Sequence, residues 1–310
     1  MAALGTTVSN FMQGLLYRGR EGQLLYMGHR LAGLGTLLFL AVHILDTATV
    51  YFGKILGIPD LYAHAIDLYR STPFMLGEIL LVAAVLFHGV NGLKIILYDT
   101  YPHWWNKDFE RQSFWKVAVL TFILWLPAAY FMGRALYVNN LCANCPPAEP
   151  VDVAARTNLS VIAIPIIFFV ILGVLMVGGT LRVTAPTASA SRVAAPPKTL
   201  DTYIWQFMRW SGALLIPLVW IHVAIQDVLI GVHHIDLAFV DMRWANWGWR
   251  LYDLALLGFA FGHGMLGLRN VVTDYVSNPV LGRRLRWAMI IGWLVLMIIG
   301  LVALFGGVQM

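Results

Sequence analysis

Seven long apolar runs constrain this chain more than any other feature in it. A helix needs roughly 20 consecutive apolar residues to cross the hydrocarbon core of a bilayer. Such runs lie near residues 25–51, 74–98, 115–137, 159–181, 203–230, 248–275 and 286–306 of the 310. Lipid offers no partner for a bare peptide group, so segments of this kind close their hydrogen bonds internally, as helices. Only 12% of the residues are charged and 59% are hydrophobic, which excludes an ordinary soluble domain. The first run is long, follows Arg18 and Arg20 and leads directly into a second, unlike a cleavable signal peptide. The expected fold is all-α: a polytopic transmembrane bundle of about seven helices.

The basic balance sorts by side and does not point to a nucleic-acid partner. With the N-terminus inside, fifteen lysines and arginines fall in inner segments and six in outer ones. A plasma-membrane protein is expected, and the positive-inside rule gives it a cytoplasmic N-terminus and, after seven crossings, an outer C-terminus. Trp244, Trp247 and Trp249 on the outer side, and Trp104 and Trp105 on the inner side, fit interfacial belts. Cys142 and Cys145 share the outer loop 138–158, where they read as a disulfide or as an idle loop pair. Pro146 follows instead of a histidine, so c-type haem attachment is not indicated. Two cysteines are too few for a zinc or iron–sulfur site.

Two phrases are written twice. His88-Gly89-x-x-Gly92-Leu93-Lys94-x4-Asp99 returns 175 residues later as His263-Gly264-x-x-Gly267-Leu268-Arg269-x4-Asp274. Arg30-x-x-Gly33 precedes His43, and Arg209-x-x-Gly212 precedes His222, with 13 residues from arginine to histidine each time. The repeat predicts two parallel three-helix modules, 1–138 and 201–310, joined by 139–200. The joining segment holds the run 159–181, without charge or histidine, and a Thr/Ala/Ser/Pro-rich linker. A module that starts inside ends outside, so a second of the same orientation needs one extra crossing. The four motif helices should form a central bundle with the other helices around it.

Depth sorts the histidines into pairs. His43 lies 13 residues beyond Arg30, roughly 20 Å further out at ~1.5 Å per residue. Asp46 just beyond it marks the outer interface; Arg209, His222 and Asp227 repeat the pattern. His88 lies 10 residues below Glu78 and 11 above Asp99, and His263 lies likewise between Asp253 and Asp274. The inner level therefore carries His88 with His263, and the outer level His43 with His222. Neutral imidazoles from facing helices suit the axial positions of a haem iron. Intramembrane histidines are costly and usually functional, although a single one can serve only as a hydrogen-bonding group between helices. The glycines beside and one turn from His88 and His263 leave room for a flat macrocycle or for close helix approach. Lys94, Arg269, Arg30 and Arg209 at the inner rim are candidates to neutralise propionates. His29 adjoins Arg30 outside the depth of either pair, and His64, His103, His233 and His234 lie in loops.

These phrases resemble the membrane-anchor subunits of succinate dehydrogenase and fumarate reductase, the cytochrome b part of respiratory complex II. Gly28-His29-Arg30-Leu31-Ala32-Gly33 is similar to the His-Arg-x-Ser/Thr-Gly signature opening the first helix of the C-type anchor. The stretch from His263 to Asp274-Tyr275 is similar to the haem helix of the D-type anchor. The resemblance implies a fusion of both anchors that binds haem b. Such a chain passes electrons between a cytoplasmic-side iron–sulfur subunit, which accompanies a flavoprotein subunit, and a membrane quinone. It implies a proximal haem on His88 and His263 and, as in two-haem members, a distal haem on His43 and His222. Two stacked haems suit menaquinone. The family's inner quinone site maps onto Arg30, Asp274 and Tyr275. Tyr26 replaces the small hydroxylic residue usual four before the arginine, Ala32 replaces the signature Ser/Thr, and Ser211 is retained in module two. Asp46, Asp227 and Glu78 are polar candidates for a quinone site beside the distal haem. Two other readings account for intramembrane histidines: a dihaem anchor of a formate dehydrogenase or hydrogenase, and a parallel-repeat transporter.

Overall fold

A computed structural model describes residues 20–146 and 199–307, so the run 159–181 and most of the linker lie outside the described residues. Among the described residues the chain is helical. Helix α1 (Arg20–Thr47) continues through the short α2 (Thr49–Leu56), and α3 (Leu61–Tyr69) turns back over it. Helices α4 (Thr72–Thr100) and α5 (Lys107–Leu136) complete the first group. The second group comprises α6 (Leu200–Val223), the short α7 (Leu237–Ala245), α8 (Trp247–Tyr275) and α9 (Pro279–Gly306). Six of these segments are long and apolar enough to cross a membrane. The 29 residues of α4 reach about 43 Å at 1.5 Å per residue, comfortably more than a hydrocarbon core.

The helices outrun the apolar windows because polar caps set their ends. Asn106 accepts from the backbone of Asp108 and Phe109, starting α5 eight residues before its apolar run. Asn278 does the same for Val280 and Leu281, with Pro279 in the first turn of α9. A Thr199–Thr202 capping box opens α6. At the other end α6 widens into a π-type segment, Ala224–Ile230, and α5 into Tyr137–Leu141. Just beyond the latter, Cys142 and Cys145 form a disulfide.

The four motif helices close a ring: α1 packs on α4, α4 on α6, α6 on α8 and α8 on α1. Helix α5 lies outside α4, and α9 lies across α8 and α1. Their remaining faces are apolar and exposed, as at Leu38 and Trp115, which suits contact with lipid. The ring has two distinct ends. One carries Arg30 and Arg209; the other is covered by α2, α3, α7 and the segment Ala224–Ile230.

The contact between neighbouring helices is built twice with its parts exchanged. A Cβ on Gly28 of α1 would stand 3.0 Å from the ring of Phe87 on α4. At the matching positions of the second group the ring is Phe207 on α6, and the space is Gly262 on α8, where a Cβ would lie 3.1 Å away. A large residue against a small one fills the same volume either way round.

Candidate functional site

Four histidines line the inside of the ring at two levels, one from each motif helix. His88 of α4 faces His263 of α8, with ring centroids 6.1 Å apart and planes at 89°. His43 of α1 faces His222 of α6 at 6.3 Å and 79°. An iron–imidazole bond of about 2 Å, plus about 1.1 Å from nitrogen to ring centre, would space two imidazoles sharing one iron about 6.2 Å apart. Both pairs stand at that spacing, so the residues fit a bis-histidine haem at each level.

The glycines of the repeated Arg-x-x-Gly phrase make room for the inner pair. A Cβ on Gly33 would stand 2.8 Å from His88 Cε1, and one on Gly212 would stand 3.3 Å from His263 Cε1. Each module's first helix thus cradles the histidine of its second. Both inner rings are also held through Nδ1. His88 Nδ1 lies 3.0 Å from the carbonyl oxygen of His29. His263 Nδ1 lies 2.9 Å from Ser211 Oγ, whose hydroxyl donates to the carbonyl of Phe207 at 2.7 Å. With its proton committed, Ser211 must accept from His263, which leaves Nε2 free to ligate. This explains why Ala32 can replace the signature hydroxyl in the first module: a backbone carbonyl performs the same task for His88. At the other level His222 Nδ1 has no partner.

The glycines after the ligand positions serve helix approach. Gly89 admits Trp220 of α6 and Gly264 admits Leu37 of α1, each from the opposite half. Gly267 faces open space, and Gly92 approaches His29 at 3.6 Å. His29 itself differs from its sequence-based reading. It stacks on His88 with centroids 3.9 Å apart and planes at 11°, so it belongs to the inner site. The side chain of an i−1 neighbour of Arg30 cannot be assigned to a level by counting along the helix alone.

At the arginine end the two halves are cross-linked reciprocally. Arg30 of α1 pairs with Asp274 of α8, and Arg209 of α6 pairs with Asp99 of α4 at 2.6 and 2.9 Å. An aromatic ring four residues before each arginine lies under its guanidinium, Tyr26 at 4.3 Å and Trp205 at 4.8 Å. Tyr275 adds a second ring to Arg30 at 5.7 Å; the matching residue beside Asp99 is Thr100. The two corners differ in one respect. Arg30 keeps a buried Nη1 without a partner, whereas Arg209 directs two nitrogens onto one oxygen of Asp99. Lys94 binds Glu110 at 2.6 Å and Arg269 binds Asp201 at 3.0 Å. Of the four cations expected to neutralise propionates, Arg209 is the one whose charge reaches both His263 and His29, while that of Arg30 reaches His29.

The opposite end encloses a cavity of about 290 Å³ around His43 and His222. Asp46, Glu78 and Asp227 line one part of its wall; Arg243, Trp244 and Asp253 line another. Arg243 and Trp244 carry no motif, and no spacing in the sequence marks them. Roofing the cavity, Tyr62 and Tyr69 of α3 have phenols pushed up by burial, with Asp46 adding to both. Arg70 donates to the carbonyl of Ile235 at 2.8 Å and pins the loop carrying His233. Burial lowers the pKa of His233, helped by the neighbouring positive groups Arg70 and His234.

Comparison with known proteins gives this geometry a lineage. The family described as Succinate dehydrogenase/Fumarate reductase transmembrane subunit matches residues 12–128 and 182–304. The chain belongs to that family. Each matched segment carries one copy of both repeated phrases. Over 135 residues, 43% of this chain, it is 33% identical to the succinate dehydrogenase 2 membrane subunit SdhC of Mycobacterium tuberculosis, 94% of which is covered. Membership of the family makes the chain a multi-pass membrane subunit of the complex II type and favours neither the transporter nor the formate dehydrogenase reading.

Proposed function

We propose that this complex II membrane subunit carries two b haems and conducts electrons along the bundle between an iron–sulfur subunit and a membrane quinone. The observation that carries the proposal is the pair of facing histidines at each level, at the separation two axial ligands require. His88 and His263 hold the haem nearer the arginine end; His43 and His222 hold the other. When bound, these groups supply one-electron transfer. The protein contributes bis-histidine ligation, burial and the surrounding charge, which together set their potentials. Arg209 and the unpartnered Nδ1 of His29 offer positive charge and a polar contact for the propionates of the first haem.

The quinone corner is Arg30 with Asp274, Tyr275 and Tyr26. Arg30 has a donor to spare for a carbonyl oxygen, and Asp274 and Tyr275 can deliver protons to a reduced ring. The same corner built from Arg209, Asp99 and Trp205 is closed by its own ion pair and braces the two halves. Tyr26 narrows the first corner where relatives carry a small residue. A flavoprotein and an iron–sulfur subunit dock at this end, on the cytoplasmic face. The excess of basic residues at this end supports that orientation, and so does the disulfide at the other, which suits an oxidising outer compartment. Menaquinone suits a two-haem path. Residues 1–138 and 201–310 act as C-type and D-type anchors fused through 139–200.

Haem per polypeptide in the purified complex, read with a redox titration, tests this. Two haems of separate potential are expected. His263→Ala should remove the first and His222→Ala only the second. A single haem abolished equally by His43→Ala and His88→Ala would refute the pairing.

A further inference from the structure

We infer that Arg243 is the seat for a propionate of the haem held by His43 and His222, fixing how that haem is turned in its cavity; the inference rests on the two-haem reading above. Arg243 lies on α7, outside both repeated phrases, and is 5% exposed. Its Nε and Nη2 donate to the two oxygens of Asp253 at 3.0 and 2.7 Å. Asp253 also accepts from Trp244 Nε1 at 3.0 Å. Trp249 packs on the guanidinium at 4.4 Å from its ring centre. The arginine is therefore held rigidly, yet its Nη1 has no partner although it is buried. A buried guanidinium nitrogen carries two donors that call for an acceptor. The cavity it lines is the one around His43 and His222, and both histidines lie within the field of Arg243 and Asp253.

The rest of the wall disfavours the alternative placement. Asp46, Glu78 and Asp227 form a separate group in which Glu78 feels the other two. Glu78 occupies the position in α4 that Asp253 occupies in α8, ten residues before the ligand histidine, but among the described residues it forms no ion pair with an arginine. A propionate turned toward these three buried carboxyl groups would find no cation to pair with, and its charge would stand uncompensated in a low dielectric. Turned toward Arg243 it meets the free Nη1. The cavity thus favours one of the orientations that ligation alone would leave open, and the carboxyl-bearing wall faces the edge without propionates.

The test uses the whole purified complex with Arg243→Gln, Arg243→Lys and Asp253→Asn. The propionate bending band of the resonance Raman spectrum and the midpoint potentials of both haems are recorded. In Arg243→Gln the band of the His43/His222 haem should shift and its potential should fall, since the propionate charge is no longer countered. The haem of His88 and His263 should stay unchanged. Arg243→Lys keeps the charge without the fork, so the band shifts while the potential moves less; it also serves if Arg243→Gln does not assemble. Asp253→Asn should raise the same potential. Unmoved band and potential in Arg243→Lys or Arg243→Gln, with both haems present, overturn the assignment. One haem in the unaltered complex overturns the two-haem reading itself, a result read before any variant is made.

Discussion

Replacing either cradle glycine with alanine separates the two halves of the inner site, because the same chemical change meets different space. At Gly33 the new Cβ would lie 2.8 Å from His88 Cε1 and 3.1 Å from Nδ1. Carbon atoms rest at about 3.5 Å or more, so the ring must retreat by about 0.7 Å. It has little freedom to do so, being stacked on His29 at 3.9 Å and tied to its carbonyl at 3.0 Å. At Gly212 the Cβ would lie 3.3 Å from His263 Cε1 and 3.9 Å from Nδ1, which a shift of about 0.2 Å relieves. Alanine in place of a helical glycine favours the helix by about 1 kcal/mol at both sites. Overpacking of a rigid site costs about 1–3 kcal/mol. Gly33→Ala should therefore be net destabilising and, because a metal–nitrogen bond of about 2 Å does not stretch by 0.7 Å, should lose the inner haem. Gly212→Ala should be close to neutral and keep it. Haem content and thermal melting of the two purified variants, measured side by side, decide the matter. Full haem and an unchanged melt in Gly33→Ala, or equal damage from Gly212→Ala, would falsify the cradle argument.

Other outcomes follow from neighbouring groups. Ser211→Ala should leave both haems in place but raise the inner midpoint potential, since His263 loses the acceptor that makes its ring a stronger donor; an unchanged redox titration removes Ser211 from this role. Asp274→Asn should impair quinone turnover more than Asp99→Asn, whose main effect should be a less stable assembly. Equal loss of turnover at equal stability would show the two corners to be functionally equivalent. The loop of His233 should loosen on acidification. Its lowered pKa means the unfolded segment binds more protons below the ordinary value of 6.5, so local stability is complete above that value and falls as the pH drops below it. Hydrogen exchange of residues 232–235 between pH 7 and 5 reads this, and His233→Asn should flatten the response.

Much of the site was legible because a helix converts sequence distance into depth. Thirteen residues from arginine to histidine, counted twice, place His43 and His222 at one level, and the spacing from Glu78 and Asp253 places His88 and His263 at another. The structure brings both pairs together across the ring. His29 was misplaced by the same reasoning: a residue one step from Arg30 points in another direction, and its ring reaches toward α4. Ser211 stood out as a retained hydroxyl, but its link to His263 depends on the packing of α6 against α8.

By itself the sequence determined the helices, their apolar length, the duplication and the depth of the four paired histidines, all of which follow from a fixed rise per residue and the cost of polar groups in lipid. Tertiary structure alone decided which faces meet. It set the exchange of Arg30 and Arg209 with Asp274 and Asp99 of the opposite halves, the reversal of Gly28 and Phe87 into Phe207 and Gly262, and the seating of Arg243 against Asp253. Those choices rest on the rotation of each helix about its axis and on short helices packed over one end. Neither leaves a periodic mark along the chain, because each is fixed only when side-chain volumes and charges from distant segments fill the same space.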